Sequence, residues 1–402
     1  MNIKRKLFLV ILAIIVLSAL IVTGCTKGIS RGWAGGAVTP DGKMFVASMT
    51  GRIIAVDANS NAILGKPIQL SVQSSAGLLG CSASASPLII YASPIVLNTT
   101  DPGTVVYIGG FSDGKIHGFL FKDGALVEKN PTFLSDQLKG QIVGGMIIDN
   151  DMIYFATSDG TVYALNSKDL SINWSHKINS KIWSAPTIDG NTLYIGCFNK
   201  TVYALNITDG SEKWKYEADG AISSTPVING NNVYIGDYDR HFYALDKATG
   251  NLVWKFPAAN KVDETPRNWF WAQPVVLNGV IYAPSLDGNV YALDITNGNM
   301  VNKYVLGDSI SSSPVVIGNS IVIATSVAST DPKKQKGKIF IIDPSDKSHR
   351  ELDLPSNEDV NAPLFNYGSI VYVHTSKDNL YSIDASVKEI KLTLLFNLTT
   401  VK

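Results

Sequence analysis

An all-β fold, an eight-bladed β-propeller with four antiparallel strands per blade, is the class this 402-residue sequence predicts. Three observations predict it: a long recurring phrase, four short strand segments in each copy, and enough copies to fill the chain. The phrase WSAPTIDGNTLYIGCFNKTVYALN from Trp183 returns as SSTPVINGNNVYIGDYDRHFYALD from Ser223 and as WAQPVVLNGVIYAPSLDGNVYALD from Trp271. Weaker copies begin at Gly35, near Tyr91, and at Val143, Ser311 and Val360, which makes eight units. Pro186 to Pro226 is 40 residues and Pro226 to Pro274 is 48, a length that suits a four-stranded blade and is too long for a leucine-rich repeat. A seven-bladed ring would leave one unit unused.

Within the unit from Trp183, the strand segments are the stretch around Pro186, then LYIG, TVYAL and EKWKY. β-branched and aromatic residues favour strands there, and the NG, DG and TDG breaks favour tight turns. Outside the N-terminal segment no stretch has sustained helical periodicity. Tyr163, Tyr203, Tyr243 and Tyr291 precede Ala-Leu-Asn or Ala-Leu-Asp, where the ring can fill a blade interface and the alanine lets sheets approach. The closing Asn166, Asn206, Asp246 and Asp294 start turns by accepting local backbone N–H groups. Trp174, Trp214 and Trp254 recur in the fourth strand and read as docking residues between blades.

At the N-terminus Lys4, Arg5 and Lys6 precede an apolar run from Leu7 to Val22, which closes on Thr23, Gly24 and Cys25. The positive head and apolar body are features of an export signal. The expected organisation is an export signal over residues 1–25, a short tether over 26–33 and the propeller over 34–402. A retained transmembrane anchor and simple secretion are the alternatives to lipid attachment. The asparagine-rich composition and the sequons at Asn98, Asn173, Asn199, Asn206 and Asn397 leave an archaeal origin open.

The units from residue 142 to 305 resemble the tryptophan-docked repeats of pyrroloquinoline-quinone-like propellers, with weaker likeness over 34–130 and 311–397. That family includes quinoprotein alcohol dehydrogenases and the lipoprotein scaffold of the outer-membrane β-barrel assembly machine. The VTGC ending resembles a bacterial lipobox, which implies a diacylglyceryl thioether on Cys25 and a lipid bilayer as one partner. Thr26 is not the aspartate of inner-membrane retention, so the resemblance implies the outer membrane where one exists, and otherwise the outer surface of the cell membrane. The dehydrogenases hold calcium and quinone, often beside an adjacent-cysteine disulfide. This chain has no Cys-Cys pair and no residues matching their metal and base arrangement, so neither enzyme activity nor a cofactor is expected. The resemblance implies an envelope scaffold for a protein partner; a glycan or small ligand is the alternative.

If the proline-bearing strand is innermost, the second-to-third loops and the blade connections share one face. The irregular stretches Ser71 to Tyr91, Pro257 to Trp271 and Ser326 to Lys338 all fall there, and long loops on a rigid scaffold carry binding functions. The sharpest candidate is the segment from Val262, which joins Asp263, Glu264 and Arg267 to Trp269, Phe270 and Trp271. Arginine beside aromatics is a hot-spot composition, and a packed loop lid is the other reading. Trp183 shares the repeat position of Trp271, so both indoles are expected at one funnel mouth.

Cys81 and Cys197 can pair as a disulfide in an oxidising compartment, or Cys197 can be a small buried repeat residue. His117, His176, His241, His349 and His374 show no metal-ligand spacing, and no metal is expected. Asp237 and Asp239 read as a solvent-facing loop pair. The chain has 34 basic and 34 acidic residues, and removing Lys4, Arg5 and Lys6 leaves 31 basic residues. Without a basic block, nucleic acid is not an expected partner.

Overall fold

The computed structural model describes residues 33–73, 85–98, 103–128, 138–327, 336–355 and 357–401. Eight four-stranded sheets, blades 1 to 8, follow one another along the chain at 36–69, 95–128, 147–177, 187–217, 227–256, 275–305, 315–353 and 365–397. Within each blade the strands lie side by side in chain order and pair antiparallel. The first strands of neighbouring blades touch around the axis, as Gly36–Val38 does with Phe365–Tyr367. The proline-bearing strand is therefore the innermost one, as expected.

Blade 4 shows why the sequence folds this way. Its strands are Thr187–Asp189, Thr192–Gly196, Thr201–Asn206 and Glu212–Glu217. The second is buried at every position, whereas the fourth alternates and buries chiefly Trp214. Middle strands covered on both faces read as continuous apolar runs, and the outer strand, half in water, reads as an alternation. The first turn closes at Gly190, whose φ of 54° suits a residue without Cβ.

The apolar core is divided among the blade interfaces, with a cluster of buried side chains in each. The fourth-strand tryptophans dock as the repeats predict. Trp174, Trp214 and Trp254 donate Nε1–H to the carbonyls of Ile207, Lys247 and Ile295 in the next blade at 2.8, 3.0 and 3.1 Å. Second-strand tyrosines Tyr154, Tyr194 and Tyr234 donate to the same three carbonyls.

The ring closes without a shared strand. Blade 1 and blade 8 each hold four strands of their own. Met44, Val46 and Ile54 pack against Tyr372, Leu380 and Leu398, and Tyr372 donates to the Ala58 carbonyl at 3.3 Å, at the same repeat position as the other interfaces. The Arg52 guanidinium adds hydrogen bonds to the carbonyls of Leu398, Thr399 and Val401.

Two features depart from the sequence reading. Asp237 does not face solvent: it is fully buried and accepts hydrogen bonds from the backbone N–H of Gly220 and His241 and from the Tyr243 hydroxyl at 2.8, 2.8 and 2.9 Å. Burial pushes its carboxyl above the usual range despite these donors. A further irregular stretch that the sequence reading did not single out, residues 385–392, lengthens a third-to-fourth turn on the opposite side. That turn borders a groove of ≈ 720 Å³ between blades 7 and 8. Arg350 stands there at the docking-tryptophan register, opposite Ile341, and reaches the carbonyls of Val387 and Lys388 at 2.8 Å. A guanidinium makes the polar contact but does not fill an indole's volume.

Candidate functional site

A repeated backbone bond fixes which loops share a face. The residue that opens each second-to-third turn donates its N–H to the preceding blade connection: Phe198 to Lys181, Tyr238 to Ala221, Leu286 to Trp269 and Ser326 to Ser309, all at 2.8 to 3.0 Å. The connections and these turns therefore form one surface, as expected. The hairpin Ser71–Gln73 with Ala85–Pro87 stands on it as an addition between blades 1 and 2.

At the centre of this face lies a cavity of ≈ 380 Å³. It is lined by the residue that begins each repeated phrase and by the residue two further on. Four of the leading positions are aromatic: Trp33, Tyr91, Trp183 and Trp271, on blades 1, 2, 4 and 6. Blades 5, 7 and 8 supply Ser223, Ser311 and Asn361, and blade 3 supplies Val143.

The two indoles the sequence placed together do meet. Trp183 and Trp271 have ring centroids 6.2 Å apart, edge to face, so they touch across blade 5, where Ser223 is small enough to lie beneath them. Trp183 also contacts Phe198 at 4.8 Å. Tyr238 stacks on Trp269 at 4.4 Å with 8° between planes and reaches Trp271 at 6.0 Å. On the other side of the axis Tyr91 holds edge-to-face contacts with Trp33 at 4.4 Å and Phe111 at 4.7 Å. The cavity thus has two aromatic walls.

The remaining candidates separate. Trp269 is 42% exposed on the rim, and its carbonyl accepts from the Leu286 N–H and the Ser285 hydroxyl. Phe270 turns the other way: it is 1% exposed and packs against Phe242 and Tyr291, as expected when neighbours on an extended chain alternate sides. Asp263 and Glu264 sit on a short 3₁₀ turn, Val262–Glu264. Glu264 pairs with Lys261 at 3.4 Å. Arg267 is exposed, and its backbone N–H is held by Asp287 at 2.9 Å. None of these three charged side chains lines the cavity.

Trp33, Tyr91, Phe111, Phe198 and Tyr238 escaped the sequence reading, although the signal was present. Trp33 and Tyr91 occupy the same repeat position as Trp183, and the other three each open the turn after a second strand. Burial pushes the Tyr238 phenol up to about 12, with the nearby Ser223 hydroxyl moderating the shift.

Cys197 is fully buried among Ile182, Ile195 and their neighbours, and burial pushes its thiol up. Cys81, and with it the pairing with Cys197, lies outside the described residues, as does Cys25. Asp219, Asp239 and His241 bring potential ligand atoms within 4.8 Å of one another, a grouping the scattered histidines of the sequence did not suggest. Lys255 pairs with Asp219 there, and His241 Nδ1 lies 3.0 Å from the same carboxylate on the blade 5 surface. Among the described residues no helix is long and apolar enough to cross a membrane.

The fold and face define a closed β-propeller with a decorated central mouth. Residues 174–331 match the family model described as outer membrane protein assembly factor BamB. Among solved structures, the chain is similar to the computationally designed Ika8 protein, with a TM-score of 0.62 and 14% identity over 92% of this chain and 98% of that one. It is also similar to BamB from Moraxella catarrhalis, with a TM-score of 0.53 and 16% identity over 81% and 92% of the two chains. No curated protein matches it. At these identities the structural likeness establishes the fold, a BamB-like propeller.

Proposed function

We propose that this protein is a non-catalytic scaffold of the cell envelope, anchored to a membrane through lipid on Cys25, that holds a protein partner against the connection face of its propeller. The observation that carries the reading is Trp269. It is a large exposed aromatic fixed by stacking on Tyr238 and by backbone bonds, so little side-chain entropy is lost when a partner covers it. Arg267, Asp263 and Glu264 supply a charged rim beside it, and Phe270 roots the segment in the core. Rigid aromatic anchors with arginine neighbours are the composition of binding hot spots.

The name of the matching family, an outer membrane protein assembly factor, supports an envelope setting, and so does the lipobox-like ending at Cys25. A closed ring that leaves only short, protected strand edges is a stable platform for such a role.

The test is capture of partners from native membranes with the lipidated protein, beside an Arg267→Ala/Trp269→Ala variant. A stoichiometric membrane-protein partner, lost in the variant while its melting temperature stays within a few degrees, is the expected result. Failure to recover any partner with fold and lipid intact overturns the scaffold. Mass spectrometry of the N-terminal peptide checks the anchor, and an unmodified Cys25 would refute it.

A further inference from the structure

The central cavity is a separate feature from the Trp269 rim. Its lining among the described residues contains no side chain that is charged at neutral pH. A charged ligand would lose its hydration there without gaining a counter-charge, so the chemistry selects a neutral one. The volume of ≈ 380 Å³ lies within the roughly 300–1,000 Å³ of small-molecule sites.

The polar groups are of one kind. Gln273 and Asn361 offer amides, and Ser223, Thr225 and Ser313 offer hydroxyls. The Ser311 hydroxyl donates to Asn361 Oδ1 at 2.8 Å, which orients that amide and leaves its nitrogen without a described protein partner. The Ser223 hydroxyl is more telling. The residue is 8% exposed, and its Oγ has no hydrogen bond of good geometry. The Tyr238 hydroxyl, which interacts with it, lies outside the cavity lining. A buried hydroxyl with no well-aligned partner costs free energy unless a ligand or water completes it.

A ligand matched to this lining is neutral, carries several hydroxyl or amide groups, and has at least one flat apolar face for an indole. A pyranose ring has that combination: axial C–H groups form an apolar face and equatorial hydroxyls surround it. Blades 1 and 5 lie opposite in an eight-membered ring, so the Trp33–Tyr91 wall faces the Trp183–Trp271 wall. We propose that the central mouth is a binding site for a neutral saccharide, stacked on Trp183 or Trp33 and hydrogen-bonded by Ser223, Gln273 and Asn361.

The probes are maltose, cellobiose and diacetylchitobiose, followed by tryptophan fluorescence and by saturation-transfer NMR on the full chain. At least one is expected to bind saturably. Trp183→Ala should weaken it by about tenfold or more, the size of a lost aromatic contact, and Asn361→Ala by a smaller factor with an unchanged melting curve. No binding of any neutral disaccharide at millimolar concentration overturns the proposal, as does binding that both variants leave unchanged. Binding of a flat aromatic probe in place of sugars overturns the saccharide assignment. Trp269→Ala should leave sugar binding intact, and Trp183→Ala should leave capture of a protein partner intact, so failure of either reading is seen separately.

Discussion

Gly250 shows how narrow the tolerances of a repeat are at the residue scale. Its φ is 76°, and a Cβ placed on it would lie 2.6 Å from the Trp214 ring of the preceding blade. Gly210 and Gly298 meet Trp174 and Trp254 in the same way. The glycine in the TDG, ATG and TNG turns therefore does two things: it takes a left-handed backbone and it forms the floor on which an indole docks. Gly250→Ala is expected to destabilise the protein by about 2–4 kcal/mol, combining backbone strain with displacement of a packed ring. Equilibrium denaturation checks this, and an unchanged midpoint would contradict the steric account.

The docking tryptophan belongs to the blade as an element, because it joins one sheet to the next through both a packed ring and a hydrogen bond. Trp214→Phe keeps most of the packing and removes the donor to the Lys247 carbonyl. A loss of about 1–2 kcal/mol is expected, from the missing bond and the smaller ring, with hydrogen exchange quickening first at the interface of blades 4 and 5. Blades 6 and 7 carry Asn302 and Arg350 at that position. The groove between blades 7 and 8 runs beside Arg350. On the connection face two indoles meet because blade 5 supplies only Ser223 between them.

At the scale of the whole molecule, stability depends on closing a ring whose first and last blades exchange no strand. Apolar packing and the Arg52 guanidinium do the joining. Further contacts come from Met49, whose N–H donates to Asp378 at 2.8 Å, and from His374, whose ring bonds both Asp378 and the Ala34 carbonyl. Arg52→Ala is expected to lower stability by about 2 kcal/mol, the range for hydrogen bonds to a charged donor. Exchange in Thr393–Asn397 should quicken before that in blades 4 and 5. Uniform loss of protection around the ring would show that closure is not centred on this residue.

The sequence by itself determined the architecture, because each repeated phrase encodes one sheet through local propensity and each carries its own partners for the next. The tyrosine, the alanine, the tryptophan and the turn glycine were legible in the order of residues alone, and so was the shared register of Trp183 and Trp271. Only the tertiary structure decided which side chains face the axis together. Trp33 and Tyr91 are far from Trp183 in sequence, and nothing local reveals that a closed ring brings two such pairs to one mouth. Phe270 and Trp269 are adjacent and chemically alike, yet the alternation of an extended chain buries one and exposes the other. Asp237 looked like a surface residue until its donors, the N–H groups of Gly220 and His241 and the Tyr243 hydroxyl, were assembled around it. The reason is physical: strand formation and turns depend on neighbours along the chain, whereas burial and site composition depend on which repeats the closed ring sets face to face.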